Sequence, residues 1–183
     1  MRIIAGKARG TRLGSLKDLS LRPTLDRVRE SLFNILMQEL EGARVLDLFA
    51  GTGAIGIEAL SREASRAVFV EPDPAARRLI RANLEKCRIP ESQWTLLEMT
   101  AHKAIELLES RGSTFRFIYV DPPFEEDLYE ATLQALGASS LVAEDGRVVV
   151  EHFRKKDLAP NYGKLTLTDF RRLGDTVLSF YTF

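Results

Sequence analysis

Five apolar segments that alternate with segments of helical character constrain the fold of this chain more than any other feature. The strand-like segments are ARVLDLF at 43–49, AVFVE at 67–71, WTLLEM at 94–99, RFIYVD at 116–121 and GRVVVEHF at 146–153. The helical segments lie near 53–62, 74–87, 101–110 and 126–137. Strands that are apolar along their whole length and alternate with helices are typical of a parallel sheet covered on both faces. The sequence therefore predicts an open α/β fold.

The two ends of the chain depart from this alternation. KLTLTDFRRL and TVLSFYTF flank Gly174 and Asp175 and leave no room for a helix, which predicts a hairpin at the sheet edge. Residues 24–40 carry apolar side chains at helical spacing, and residues 1–13 suit a second, smaller hairpin. We expect one domain over 1–183, composed of a basic arm (1–20), a leading helix (21–40) and an α/β core (41–183).

The formal net charge of zero hides an uneven distribution of charge. Residues 1–29 carry eight Lys and Arg against two Asp, a net charge of +6, and the rest of the chain therefore carries −6. A basic arm on an acidic body suits contact with a polyanion, although a solvated charged tail explains the charge equally well.

The scarcity of cysteine and histidine and the lack of long apolar runs exclude several classes of protein. Cys87 is the only cysteine, and His102 and His152 lie far apart, so we expect no metal site. A lone cysteine fits a reducing cytoplasm. No apolar run approaches the roughly 20 residues of a membrane span, and the first residues lack a secretory signal. We expect a cytoplasmic monomer.

The segment LDLFAGTGAIG at 46–56 follows the first predicted strand and opens a helix. Gly51, Gly53 and Gly56 form a G-x-G-x-x-G pattern, in which glycine allows a sharp turn and close approach of a ligand to the backbone. Glu71 ends the next strand, where a carboxylate can accept both hydroxyls of a ribose. The pattern favours a nucleoside-bearing cofactor, with a tight turn and an incidental Glu as the alternative.

Asp47 distinguishes between the cofactors that contain this ribose. A dinucleotide places its pyrophosphate on the helix N-terminus, and a carboxylate just before Gly51 disfavours that anion. The same carboxylate suits the ammonium and sulfonium groups of S-adenosylmethionine. No Gly-Lys-Ser/Thr follows, which excludes a nucleoside-triphosphate P-loop. S-adenosylmethionine is the expected cofactor, and a dinucleotide oxidoreductase is the weaker interpretation.

The fourth predicted strand ends in Asp121, Pro122, Pro123 and Phe124, and the carboxyl ends of strands line the ligand crevice in open α/β sheets. The prolines fix φ and remove N–H donors. The Asp121 carboxylate and the Pro122 carbonyl can each accept one N–H of an exocyclic amine, which directs the nitrogen lone pair toward a methyl donor. Phe124 offers a face on which a base can stack. The alternative is a rigid loop with a core Phe.

These segments resemble the motifs of a known superfamily. VLDLFAGTGAIGIEAL, VFVEPD and VDPPF are similar to motifs of the Rossmann-like S-adenosylmethionine-dependent methyltransferases. LRPTLDRVRESLFN at 21–34 and the opening RIIAGKARGTRL resemble the bacterial small-subunit (16S) ribosomal RNA guanine-N2 methyltransferases, along nearly the whole chain. The resemblance implies a seven-stranded sheet with an antiparallel last strand. It also implies methylation of 16S rRNA, within a small ribosomal subunit or an assembly intermediate.

The resemblance also implies roles for individual residues. Thr100 stands where that family commonly has an Asp facing the adenine amino group, so its hydroxyl or the Ala101 backbone is expected there. One of Arg22 and Arg27 can pair with the cofactor's carboxylate, or both can face RNA. The expected cofactor contacts are Asp47, Phe49, Ala50, Gly51, Thr52, Gly53, Glu71, Pro72, Thr100, Ala101, Thr24 and Arg27. The expected RNA contacts are Arg2, Lys7, Arg9, Arg12 and Arg22.

Two other functions remain open at this point. A DNA or RNA adenine N6-methyltransferase can share the Asp-Pro-Pro-aromatic tetrad, but it usually needs an added target-recognition segment. A cofactor-binding factor that assembles ribosomes without catalysis is the interpretation from another class, which the intact tetrad disfavours. The tetrad alone does not separate guanine from adenine; that choice comes from the resemblance.

Overall fold

The computed structural model describes residues 1–15, 23–37, 39–123 and 126–183. The helices are α1 (Pro23–Ile35), α2 (Ala54–Ser61), α3 (Pro74–Lys86), α4 (Ala101–Ser110) and α5 (Glu126–Ala138). The strands are β1 (Arg44–Asp47), β2 (Arg66–Val70), β3 (Trp94–Leu97), β4 (Phe115–Val120), β5 (Val142–Phe153), β6 (Asn161–Tyr162), β7 (Leu165–Leu173) and β8 (Thr176–Thr182). None of the helices in these ranges is long and apolar enough to cross a membrane.

The described strands form one sheet in the order β3-β2-β1-β4-β5-β8-β7-β6. Strands β1 to β5 pair in parallel, whereas β8 is antiparallel to both of its neighbours, β5 and β7. The predicted Rossmann-like sheet with an antiparallel last strand is confirmed, and so is the C-terminal hairpin. The two-residue strand β6 adds a short edge beyond β7 that the sequence did not predict.

An apolar layer covers each face of the sheet, which explains why the central strands lack polar alternation. On one face, Leu32 and Phe33 of α1 pack with Ile57 of α2 and Ile80 of α3. The other layer includes the α4 and α5 side chains Ile105, Leu133 and Leu136. Both layers hold the strands in register, so the residues that follow each strand are presented at a fixed edge.

Two predicted boundaries were wrong. The leading helix was predicted to reach residue 40 but ends at Ile35, and turns that include the Glu39 N–H to Leu36 carbonyl bond of 2.8 Å follow it. Leu36 and Leu40 are nevertheless buried, because these turns keep them on the core side. Strand β5 begins at Val142, four residues earlier than predicted, because an irregularity in its pairing with β4 extends it.

The arm folds back on itself, and an antiparallel bridge joins Arg2 to Arg12. The predicted small hairpin is therefore present, but it is packed into the core rather than free. Its buried apolar residues are Ile3, Ala8 and Leu13. These side chains join the same apolar layer as α1 and α2, so the arm contributes to the stability of the domain.

Glu58 of α2 attaches the arm to the core. Its side chain is fully buried, and its carboxylate accepts the Ile4 N–H at 2.8 Å and the Ala5 N–H at 3.0 Å. Arg62 pairs with the same carboxylate through Nε at 2.8 Å. The arm's backbone therefore docks on a buried negative charge that is itself paired.

Asn83 of α3 provides a second attachment. Its Oδ1 accepts the Gly14 N–H at 2.7 Å, and its Nδ2 donates to the Thr52 carbonyl at 2.9 Å. Thr52 belongs to the glycine loop after β1. One fully buried side chain thus bonds the end of the described arm to that loop.

Candidate active site

A cleft with a volume of about 1790 Å³ lies at the carboxyl ends of the parallel strands. The predicted site residues on its wall are Arg27, Phe49, Gly51, Glu71, Pro72, Thr100, Ala101, Asp121, Pro122 and Pro123. The loop after β1 and the segment after β4 meet there because the two strands are adjacent, with Asp47 paired to Tyr119. The ends of the first and fourth strands therefore converge on one cleft, as expected from the general position of ligands at strand ends.

Gly51 and Glu71 form the part of the wall that suits a ribose. Gly51 has φ +53, and a Cβ at this position would meet no atom within 4 Å, so its backbone faces open space. The Glu71 carboxylate accepts the Gly51 N–H at 2.8 Å and the Asp73 N–H at 2.9 Å. These bonds hold the carboxylate between the glycine loop and the start of α3, and its oxygens retain lone pairs for ligand hydroxyls.

The third glycine of the pattern serves packing rather than ligand contact. A Cβ on Gly56 would overlap the ring of Phe69, so only glycine lets α2 lie this close to β2. Helix α2 is thereby held against the sheet with its N-terminus directly after the loop. The glycine pattern therefore both exposes backbone to the cleft and fixes the helix behind it.

Asp47 lies behind the cleft wall rather than on it. Its carboxylate is buried and accepts the Gly56 N–H at 3.4 Å. Burial raises the pKa of Asp47 to about 7; the Gly56 N–H opposes this rise and the nearby Glu71 charge adds to it. A cation in the cleft would favour its ionised form. Its predicted contact with the cofactor stays a prediction, as do those of Ala50, Thr52 and Gly53.

The start of α4 presents polar groups to the cleft. Thr100 is the N-cap of this helix, yet its side chain makes no capping hydrogen bond. Both Thr100 and Ala101 line the cleft. A hydroxyl that does not cap its own helix and the first N–H groups of that helix are suitable partners for an adenine edge. The structure is compatible with the predicted adenine contact, which stays a prediction.

Asp121 is exposed to the cleft, Pro122 is buried and Pro123 is exposed. Protein atoms surround the Asp121 carboxylate on its other sides, and the resulting loss of hydration raises its pKa well above the usual value. The charges of Glu151 and Asp47 raise it further. Phe124 lies outside the described residues, so its stacking role stays a prediction.

Glu151 is a cleft residue that the sequence did not reveal. It lies on β5 and lines the cleft, and one of its oxygens accepts a hydrogen bond from the Tyr119 hydroxyl. Burial raises the pKa of Glu151, and the Tyr119 bond opposes this rise. The only sign of this residue in the sequence is a single Glu near the end of the apolar strand VVVEHF. It indicates a site residue only once β5 is known to lie beside β4.

Apolar and aromatic side chains also line the cleft. Val28 of α1, Tyr129 of α5, Phe153 and Leu173 line this part of the cleft. Phe153 is 38% exposed and offers a further surface for a base. Arg27 is exposed and lines the same cleft, and its predicted contact with the cofactor stays a prediction. Arg22 and the side chain of Thr24 lie outside the described part of the chain.

The arm presents four of its predicted cations to solvent, namely Arg2, Lys7, Arg9 and Arg12. Lys7 also approaches Glu63 at 3.5 Å. Arg29, which counted toward the charge of +6, is instead buried and cannot meet a polyanion. It donates to the Arg2 carbonyl and, at 3.1 Å, to Asp26, and burial lowers its pKa. Arg29 therefore stabilises the arm through its hydrogen bond to the Arg2 carbonyl.

The fold and the cleft at the strand ends together indicate a Rossmann-like methyltransferase. Residues 1–182 match the model of the family described as Conserved hypothetical protein 95, and the chain belongs to that family.

Similar proteins agree with this assignment. The chain is 35% identical over 181 residues to the Bacillus subtilis (strain 168) protein YlbH, covering 99% of this chain and 98% of YlbH. It is 37% identical over 151 residues to the Escherichia coli (strain K12) protein named ribosomal RNA small subunit methyltransferase D, covering 82% of this chain and 74% of that protein. A solved structure of a hypothetical protein from Thermus thermophilus superimposes with a TM-score of 0.85 at 31% identity, covering 100% of this chain and 99% of that one.

Proposed function

We propose that this protein transfers a methyl group to the exocyclic N2 amine of a guanine in small-subunit (16S) ribosomal RNA. The observation that carries the proposal is that Asp121 and Pro122 line the same cleft as Gly51 and Glu71. An amine acceptor and a methyl donor would therefore share one space. The name of the Escherichia coli relative supports small-subunit rRNA as substrate. The resemblance of the motifs to the guanine-N2 family supports the base and the position.

Bound S-adenosylmethionine supplies an electrophilic methyl group, and the residues that would hold it are Gly51, Glu71 and Thr100. The Asp121 carboxylate and the Pro122 carbonyl accept the two N–H groups of the amine. This orients the nitrogen lone pair toward the cofactor side of the cleft and favours the positive charge that develops on nitrogen. The raised pKa of Asp121 also suits it to take up the proton that the methylated amine releases.

Transfer of a tritiated methyl group tests this proposal directly. Small ribosomal subunits and naked 16S rRNA, both lacking the modification, are incubated with the protein and labelled S-adenosylmethionine, and the RNA is digested to nucleosides. We expect label in N2-methylguanosine, and the comparison of the two substrates shows whether a folded particle is needed. Label in N6-methyladenosine would instead support an adenine methyltransferase. No transfer to either substrate would support a non-catalytic role.

The arm is proposed to hold RNA phosphates, which carry no sequence information themselves. Deleting residues 1–13 is a poor test because it would also remove buried apolar side chains from the core. Replacing the exposed pair Arg9 and Arg12 with glutamine leaves the core intact. Each lost phosphate contact should lower the slope of log affinity against log salt by about 0.7, so the double variant should lose about 1.4.

The measurement is RNA binding at several salt concentrations, with cofactor affinity as the second readout. A matched double variant, Lys86→Gln with Arg111→Gln, removes two exposed charges outside the arm. We expect the arm variant alone to weaken RNA binding and neither variant to change cofactor affinity. Equal RNA affinity for the native protein and the arm variant would show that Arg9 and Arg12 do not contact RNA.

A further inference from the structure

The part of the cleft where the target base is proposed to bind contains two carboxylates, those of Asp121 and Glu151. Asp121 and Glu151 directly follow Val120 and Val150, which are paired across the parallel strands β4 and β5. Neighbouring strands lie about 4.8 Å apart, and residues in the same register leave the sheet on the same face. Both residues line the cleft. The sheet therefore holds the two side chains next to each other, facing the same space.

Tyr119 orients the second carboxylate. It lies two residues before Asp121 on β4, so its side chain leaves the same face of the sheet. Its hydroxyl donates to Oε2 of Glu151. Tyr119 is itself buried, so this bond is shielded from water. This bond does not engage Oε1 of Glu151, which can accept a hydrogen bond from a ligand.

A guanine edge matches this pair of acceptors. Guanine presents two adjacent donors, the N1–H and the N2 amine, whereas an ionised carboxylate accepts hydrogen bonds only. Adenine presents a lone pair at N1 instead, which would face the second carboxylate unfavourably. Sites that hydrogen-bond a particular N–H strongly reject analogues that lack it, because a buried polar group is then left unpaired.

We propose that Glu151 accepts the N1–H of the target guanine and thereby selects guanine over adenine. The proposal rests on the function proposed above, in which Asp121 and Pro122 hold the N2 amine. It assigns base selection to β5 and amine orientation to β4. Burial already raises the pKa of Glu151, so a ligand N–H would satisfy a carboxylate that is poorly hydrated in the free protein.

The decisive substrate is RNA in which 2-aminopurine replaces the guanine that the label-transfer experiment identifies. This base keeps the amine at C2 but has a lone pair at N1. We expect the native protein to methylate 2-aminopurine at least about tenfold more slowly than guanine, since one charge-assisted hydrogen bond is lost. Native rates that are equal for the two bases would overturn the role of Glu151 and leave the proposed methyl transfer standing.

Glu151→Gln tests the residue itself. Glutamine keeps the shape, and its amide oxygen can still accept from Tyr119, which turns the NH₂ group toward the base. We expect the guanine rate to fall about 10- to 100-fold, because the NH₂ group then faces the N1–H, and the 2-aminopurine rate not to fall, because the same NH₂ group can donate to its N1 lone pair, so that discrimination is lost. Equal losses on both bases would indicate a merely structural role and would contradict the proposal.

Two further variants complete this test. Glu144→Gln makes the same substitution at an exposed position near the start of β5, far from the cleft, and should leave both rates unchanged. Tyr119→Phe removes the hydroxyl that orients Glu151 and should weaken discrimination partly, even if Glu151→Gln folds poorly. Full discrimination in Tyr119→Phe would show that this bond does not position the carboxylate, and would contradict the proposed geometry. Absence of methyl transfer to guanine by the native protein would refute the underlying function instead.

Discussion

Replacing Asp121 with alanine should reduce methyl transfer by about two to three orders of magnitude and leave cofactor affinity nearly unchanged, because it removes an acceptor aimed at the reacting amine. The Gly51 and Glu71 wall that would hold the cofactor does not depend on Asp121 for any of its hydrogen bonds. Stability should not fall, because the substitution relieves repulsion with Glu151 and Asp47. Single-turnover methylation, cofactor dialysis and thermal unfolding measure the three quantities.

Two companion variants separate charge from hydrogen bonding. Asp121→Asn retains one acceptor oxygen and should keep part of the activity that alanine loses. Asp145→Asn removes a carboxylate on β5 that pairs with Arg116 at 3.1 Å on the surface, and it should behave like the native protein. If Asp121→Ala loses the cofactor along with the activity, Asp121 belongs to the cofactor site and its assignment to the amine is wrong.

Glu58→Ala should lower the free energy of unfolding by about 3–5 kcal/mol, the usual result of removing one partner of a buried ion pair. The substitution leaves Arg62 unpaired and removes the acceptor of the Ile4 and Ala5 N–H groups. Arg29, buried nearby, would also lose an attractive charge. Because the arm docks on this carboxylate, we expect its detachment to accompany the loss of stability. Denaturant unfolding and limited proteolysis of the arm measure the two effects.

Glu106→Ala provides the reference for this substitution. Glu106 is exposed on α4 and pairs with His102 at 3.4 Å, so its removal should cost less than about 0.5 kcal/mol. Glu58→Gln should fall between the two, since the amide can still accept one N–H. If Glu58→Ala unfolds at the same denaturant concentration as Glu106→Ala, the buried pair does not anchor the arm.

The parts of the fold that depend on local pattern were predictable from the sequence. The alternation of apolar and helical segments located β1 to β5 and the helices that follow four of them, and Gly174 and Asp175 marked the terminal hairpin. The meeting of the glycine loop with Asp121 followed from the general position of ligands at strand ends. These predictions succeeded because short-range periodicity and turn residues determine them.

The features that the sequence hid depend on contacts between distant segments. Glu151 becomes a site residue only because β5 lies beside β4, and nothing in VVVEHF specifies that neighbour. Arg29 looks like a surface cation of an amphipathic helix, yet the arm covers it. The apolar residues of the arm are too widely spaced to indicate a core element, although Ile3, Ala8 and Leu13 are buried. Burial of this kind is decided by tertiary packing.

The Asn83 side chain hydrogen-bonds both to the end of the described arm and to the glycine loop. A single carboxamide holds both the backbone at Gly14 and the carbonyl of Thr52, so neither segment can shift without disturbing the other's hydrogen bond. If a polyanion moves the arm and a nucleoside moves the loop, each ligand must alter the affinity for the other by the same factor. Recognition and chemistry in this small domain would then be thermodynamically linked through one amide side chain.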